Sequence, residues 1–201
     1  MARLKKGTER KQDSQKRINL DLTASENRVL DLFFACPTQE FTFNDLCKLT
    51  KTSKTTAKRI VERLLKLELI KKSIIGKLWR LSANNDTKEF MDLKIAHNLK
   101  LVYASGIIKL VSTKHPQARA IVLFGSFRKG DDLSRSDLDI AVEIPGTREI
   151  KIESLDEIAL GSRKEKTKIN IHIFSRNAIN LNLFSNIANG IVLRGFLEVR
   201  P

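Results

Sequence analysis

Ile121-Val-Leu-Phe-Gly-Ser-Phe-Arg-Lys-Gly-Asp-Asp-Leu-Ser-Arg-Ser-Asp-Leu-Asp-Ile-Ala-Val142 couples a Gly-Ser turn to two closely spaced acids. The apolar run from Ala120 to Phe124 predicts a buried strand. At its end, Gly125 and Ser126 offer backbone N–H groups and a hydroxyl to an anion such as phosphate. Asp137 and Asp139 stand two apart in a second apolar strand, expected from Asp137 to Ile144. Strand side chains alternate faces, so the two carboxylates share one face and Leu138, Ile140 and Val142 the other. Paired oxygen ligands aimed at one point suit Mg²⁺ or Mn²⁺, which bridge carboxylates to triphosphate oxygens. A plain hairpin with Gly and Asp in its turns gives no reason for acids inside an apolar strand.

The order Gly125-Ser126, Gly130, Ser136-Asp137-Leu138-Asp139 resembles the signature of the DNA polymerase beta-like nucleotidyltransferase superfamily, in particular its small "minimal" branch, over roughly residues 115 to 200. The resemblance implies that the Gly-Ser turn holds a nucleoside triphosphate and that the aspartates bind the divalent metals assisting attack on the α-phosphate. By position those roles fall on Gly125, Ser126, Asp137 and Asp139, with Ser136 also at the nucleotide. Family members carry a third carboxylate on a later strand. Here that strand is expected to be Lys168 to Phe174, whose polar face holds Asn170 and His172 and no acid. Asn170 offers a carbonyl oxygen without charge. His172 is a ligand better suited to Mn²⁺ or Zn²⁺ than to Mg²⁺, a general base, or a half-buried polar residue without chemistry. Glu143 and Glu165 are the acids left to substitute. Arg128 and Lys129 follow the turn and could neutralise phosphates, while Arg135 precedes the acids; a solvated basic loop is the plainer alternative.

A chain of 201 residues holds one large domain or two small ones, and the charge favours two. Residues 1–84 carry 19 Lys and Arg against 9 Asp and Glu, residues 85–201 carry 18 against 14, so most of the net +14 lies in the N-terminal part. Such a field suits a polyanion, and DNA is the expected partner. No apolar run approaches the roughly 20 residues of a bilayer span, and Met1-Ala-Arg-Leu-Lys-Lys-Gly lacks an apolar core, so a cytoplasmic protein without a membrane partner is expected. Cys36 and Cys47, with His97, His115 and His172, lack the spacing of a disulfide framework or a zinc site.

Residues 1–17 read as a basic arm, and 18–84 as a folded domain. Thr23 and Glu26 have capping-box spacing and open a helix expected to end near Pro37. A short helix follows Thr42. After the turn Thr50-Lys-Thr-Ser53, a helix of about 53–67 buries Ala57, Ile60, Val61, Leu64 and Leu65 and exposes Lys54, Lys58, Arg59, Arg63 and Lys66. Leu69 to Leu81 predicts two strands turning near Gly76. By order of elements, residues 22–83 resemble winged helix-turn-helix DNA-binding domains; a small helical domain for dimerisation or protein contact is the alternative. The resemblance places Lys51, Thr52, Ser53, Lys54, Thr55 and Lys58 at the DNA groove or its phosphates, and Lys71, Lys72, Lys77 and Arg80 on the wing. Trp79 is read as hairpin core.

Residues 85–114 predict one long connecting helix with Phe90, Met91, Ile95, Leu99, Val102, Ile107 and Val111 apolar, able to pair two copies in a homodimer or to fold onto its own chain. In the last domain, 115–201, Ser175 is expected to cap a helix through Asn189, and Gly190 leads into a closing segment at Ile191 to Leu193. The whole is an α+β protein: winged helix, connecting helix and small mixed-sheet nucleotidyltransferase fold. The expected activity is metal-dependent nucleotidyl transfer from an NTP to an acceptor supplied by a partner, a protein among the candidates. A nucleotide-sensing transcriptional regulator with impaired catalysis is the alternative.

Overall fold

The computed structural model describes residues 22–199; the expected arm at 1–17 lies outside them. Helix α1 (Ala24–Ala35) starts as the Thr23/Glu26 spacing predicts. The Glu26 N–H donates to Thr23 Oγ1 at 3.3 Å and the Thr23 N–H to Glu26 Oε2 at 2.8 Å, each satisfying a donor that the helix leaves unpaired. Strand β1 (Phe41–Thr42) leads directly into α2 (Phe43–Thr50), capped by Thr42, and Ser53 caps α3 (Lys54–Lys66). In α3 Ala57, Ile60, Val61 and Leu64 are buried, at the spacing that puts them on one face. The hairpin β2 (Ile70–Ile75) and β3 (Leu78–Ala83) turns at Gly76 and Lys77, and β1 pairs with β3 to give the order β1-β3-β2. Phe33, Phe41, Leu46, Ile60, Leu64 and Leu81 fill the core between helices and sheet, each burial contributing about 1.5–3 kcal/mol.

The expected single connecting helix is instead two, α4 (Lys88–Ala104) and α5 (Ile107–Lys114). Ser105 and Gly106 break it. Gly106 takes φ +77°, open to glycine at no steric cost, and Ser105 Oγ donates to the Val102 carbonyl at 2.7 Å while accepting the Ile107 N–H at 3.3 Å. The buried stripe of α4 is Phe90, Lys94, Asn98 and Val102, four apart, with polar residues in its middle. Phe90 packs in the N-terminal core, 5.1 Å from Phe34 ring to ring, and Val102 packs in the C-terminal one. With Ile107 and Val111 also buried, much of the apolar span expected to meet a second copy is covered within one chain.

The second half is a five-stranded sheet of order β6-β7-β5-β4-β8. Its elements are β4 (Ala120–Phe124), the short helix α6 (Gly125–Lys129), β5 (Leu138–Glu143), β6 (Lys151–Ile158), β7 (Thr167–Phe174), α7 (Leu181–Ala188) and β8 (Ile191–Gly195). Only β5 and β7 run parallel, so the sheet is mixed. Asp137 sits one residue before β5 rather than inside it. Strand β6 has no counterpart in the sequence reading: it is an edge strand with Ile152 exposed, four charged residues and a register shift between Leu155 and Ile158, so its alternation is blurred. Helix α7 begins later than expected. Ser175 accepts the Ala178 N–H in a turn, and the cap falls to Asn180, whose Oδ1 accepts the Leu183 N–H at 2.8 Å.

Alternation divides the core in two. Ile121, Leu123, Leu138, Ile140 and Ile171 face Val102, Ile107 and Val111 of α4 and α5, while Val122, Phe124, Ala141 and Phe174 face Ile187 of α7. Among the described residues no helix is long and apolar enough to cross a membrane.

Candidate active site

The α7 side of the sheet carries the acids. Antiparallel pairing sets Phe124 beside Asp139, and parallel pairing sets Asn170 beside Asp139 and His172 beside Ala141. The Asn170 amide therefore reaches both acids, Nδ2 donating to Asp137 Oδ2 at 3.1 Å and to Asp139 Oδ1 at 3.4 Å. His172 Nε2 lies 3.4 Å from Asp139 Oδ1, its ring edge-on to Phe124 at 5.0 Å. The other ring nitrogen, Nδ1, is buried without a hydrogen-bond partner among the described residues. On the opposite wall Gly125 has φ +73°, and a Cβ there would stand 2.6 Å from Asp139 Oδ2. Only glycine lets the β4–α6 turn come this close to the carboxylate.

Residues 104–187 match the family model for the nucleotidyltransferase domain. The match begins at the last residue of α4 and takes in Gly125, Asp137, Asp139, Asn170 and His172. It supports a nucleotidyltransferase module in the C-terminal part of the chain. No curated protein matches the chain.

Neither substitute acid reaches the Asp137–Asp139 pair. Glu165 forms an exposed two-pronged pair with Arg135, at 2.9 Å from Nε, and Glu143 is buried at the far end of β5, accepting from Arg176 Nε at 3.0 Å. Arg135 is thereby turned to Glu165, which also holds its pKa above the ordinary value through that hydrogen bond. Ser136 Oγ accepts the Leu133 N–H at 2.8 Å and so ties its own loop. Arg128 and Lys129 line a cavity of about 160 Å³ together with Phe124, Gly125, Asn186 and Asn189. Asn186 and Asn189 escaped the sequence reading; their spacing of three on a helix, next to a basic turn, was the available signal.

Asp137, Asp139 and the Asn170 side-chain carbonyl carry oxygens of the kind that hard divalent cations take. Among the described residues no cluster of three His, Cys, Asp or Glu is placed to hold a metal. Two carboxylates nevertheless converge on the Asn170 NH₂, a donor occupying the position that a cation shared by both acids would take. Amide nitrogen and oxygen exchange places by a half-turn about the last side-chain bond, which would bring Oδ1 to the same point.

On the N-terminal module Lys51 sits in the turn with φ +51°, Thr52 is half-buried, Ser53 caps α3, and Lys54, Thr55 and Lys58 are exposed on its first turns. Lys71, Lys72 and Lys77 are exposed along the hairpin and Arg80 is half-buried; Lys71 pairs with Asp86, and the Lys72 ammonium lies 4.4 Å over the Trp79 ring. Trp79 packs against Phe43 at 5.4 Å. Lys58 and Lys77 both line a cleft of about 320 Å³, together with Phe43 and Trp79.

Proposed function

We propose that the chain is a DNA-binding nucleotidyltransferase, a winged helix-turn-helix joined to a module that moves a nucleotidyl group from an NTP to an acceptor hydroxyl. The convergence of Asp137, Asp139 and Asn170 beside Gly125, inside the segment that matches the family, carries this reading. Asp137 and Asp139 would hold Mg²⁺ or Mn²⁺, which when bound supplies charge neutralisation at the triphosphate. Ser126, Arg128 and Lys129 bind the phosphates, and Asn170, its amide turned so that Oδ1 takes the place of the NH₂, would be the third oxygen ligand. His172 Nε2, the ring nitrogen on the Asp139 side, would accept the proton of the acceptor hydroxyl. The new bond joins that oxygen to the α-phosphorus, the bond to the β-phosphate bridging oxygen breaks, and pyrophosphate leaves.

The N-terminal elements support the DNA-binding half: α2, the turn and α3 followed by a hairpin, with cations on the outer side of α3 and along β2. A duplex would lie along α3 and the hairpin, and Lys58→Ala should reduce the salt dependence of DNA binding by about one phosphate contact. An unchanged salt slope would remove Lys58 from the interface. Transfer is tested with α-³²P-labelled NTPs and Mg²⁺ or Mn²⁺, offering nucleic acid, the protein itself and cell extract as acceptors. Asp137→Asn and Asp139→Asn should each lower labelling by at least about a thousandfold; labelling equal to that of the unchanged chain would eliminate the site.

One observation favours a second reading. With Asn170 where family members carry a third acid, and Glu143 and Glu165 engaged elsewhere, the module could bind metal and nucleotide without turnover and serve as the sensor of a transcriptional regulator. Nucleotide binding that changes DNA affinity, with no labelled product from any acceptor, would select it.

A further inference from the structure

Behind the candidate site lies a buried polar cluster that the proposed chemistry does not use. Lys94 and Asn98 of α4, Asp132 of the 130–137 loop and Arg163 of the loop before β7 are all nearly inaccessible; Asp132 is fully buried. Lys94 Nζ donates to the Asp132 carbonyl and lies 3.5 Å from its Oδ2, Asn98 Nδ2 donates to Oδ1 at 2.6 Å, and Arg163 Nη2 pairs with Oδ2. The same groups hold the flanking backbone: Asn98 Nδ2 reaches the Phe127 carbonyl of α6 at 3.1 Å, and Arg163 Nη1 reaches the Leu133 carbonyl at 2.8 Å. The guanidinium also lies 4.5 Å over the Phe127 ring.

Three buried charges are costly to desolvate, and an apolar trio could fill the same space. What the polar set adds is direction, since a carboxylate gripped from α4 and from the 159–166 loop can sit in only one place. Burial holds the Lys94 ammonium below the ordinary lysine range, and Asp132 pulls the other way. From Asp132 the constraint passes along a short path. Leu133, pinned through its carbonyl, donates its N–H to Ser136 Oγ, and Ser136 immediately precedes Asp137. Gly130, at the other end of the loop, lies so near α4 that a Cβ would stand 2.8 Å from the Met91 carbonyl oxygen.

We propose that Asp132 is a positioning residue, which with Lys94, Asn98 and Arg163 fixes the 130–137 loop so that Asp137 meets Asp139 and Asn170 at one point. The assignment rests on the proposed metal–nucleotide site, and its test separates the two. In the full chain, Asp132→Asn keeps the side-chain shape and removes the charge that Lys94 and Arg163 share. Amide exchange at 130–137 should accelerate at least tenfold while β4 and the N-terminal module keep their rates. Mn²⁺ affinity in the presence of NTP, followed by electron paramagnetic resonance, should fall at least tenfold, with metal-free NTP binding unchanged. Exchange at 130–137 equal to that of the unchanged chain overturns the proposal. So does unchanged Mn²⁺ affinity in a loosened loop. Should Asp132→Asn not fold, Arg163→Lys, which keeps the charge and loses the second prong to Leu133, is read by the same two measurements. If the unchanged chain binds no Mn²⁺ with nucleotide, the metal–nucleotide reading fails, and the positioning of Asp137 for it fails with it, whereas the exchange result still reports whether Asp132 holds the loop.

Discussion

The turn before α3 and the loop before β5 each present side chains for a proposed function, and they are held by opposite means. At 50–53 the bonds are between neighbours: Thr50 Oγ1 to the Leu46 carbonyl at 2.7 Å and to Thr52 Oγ1 at 3.0 Å, and the Thr56 N–H to Ser53 Oγ at 3.2 Å. At 130–137 Ser136 bonds locally to Leu133, but Asp132 and the Leu133 carbonyl are gripped by Lys94, Asn98 and Arg163, about thirty or more residues away in sequence. A locally held turn keeps its shape wherever its own few residues are intact. A remotely held loop needs the rest of the domain, and small changes at a distance reach it.

Variants can break or sharpen this contrast. After the aspartate variants, the largest effect is expected at Gly125→Ala, where the added carbon would press on Asp139 Oδ2 and the left-handed backbone would be strained; a cost of about 2–3 kcal/mol in metal-dependent activity is expected, with little change at the N-terminal module. Labelling kinetics check it, and unaltered kcat/KM would show that the turn can retreat from the carboxylate. Next comes Glu26→Gln. Glu26 is buried, and burial alone would raise its pKa; hydrogen bonds from the Thr23 N–H, from Arg63 and from the Thr23 hydroxyl together bring it below its ordinary value of 4.5. A carboxylate with a lowered folded pKa stabilises the fold fully above its unfolded value and loses that contribution as pH falls through the lowered one. Glu26→Gln should therefore cost about 1–2 kcal/mol at neutral pH and flatten the loss of stability below pH 4.5. Denaturant titrations at pH 7 and pH 3.5 read both; an equal penalty at the two pH values would rule out the ionised form as the stabilising one. The smallest effect belongs to Ser53→Ala, about 1 kcal/mol from the lost α3 cap. Thermal melts measure it, and because the turn is local, exchange at 130–137 should not move.

The same contrast decides what could be read from the chain. Thr23 with Glu26, the α3 face from Ala57 to Leu64, and Asp137 with Asp139 are patterns within a few residues, and each has its counterpart in the structure. Ser105-Gly106 was a break signal of the same short range, hidden because apolar residues continue on both sides of it. Strand β6 gave no clear period, being solvent-exposed on most of both faces. Lys94 and Asn98 stand on the buried stripe of α4 and read as solvent-facing in any scheme that equates burial with apolar character; only the fold brings Asp132 and Arg163 to them. Glu143 and Glu165 could be weighed as metal ligands in sequence because nothing local told of Arg176 and Arg135.

Helix α4 gives Phe90 to one hydrophobic core and Val102 to the other, about 18 Å apart along its axis. A cut before Phe90 would strip the N-terminal piece of that ring and a cut after Lys94 would take Lys94 from Asp132; between them Leu93 packs on the N-terminal core while the Met91 carbonyl lies against Gly130, so no division of α4 leaves both sets of contacts whole. The two proposed activities thus share a piece of scaffold that neither half can surrender, and protease digestion of the native protein should yield no pair of stable fragments that meet there.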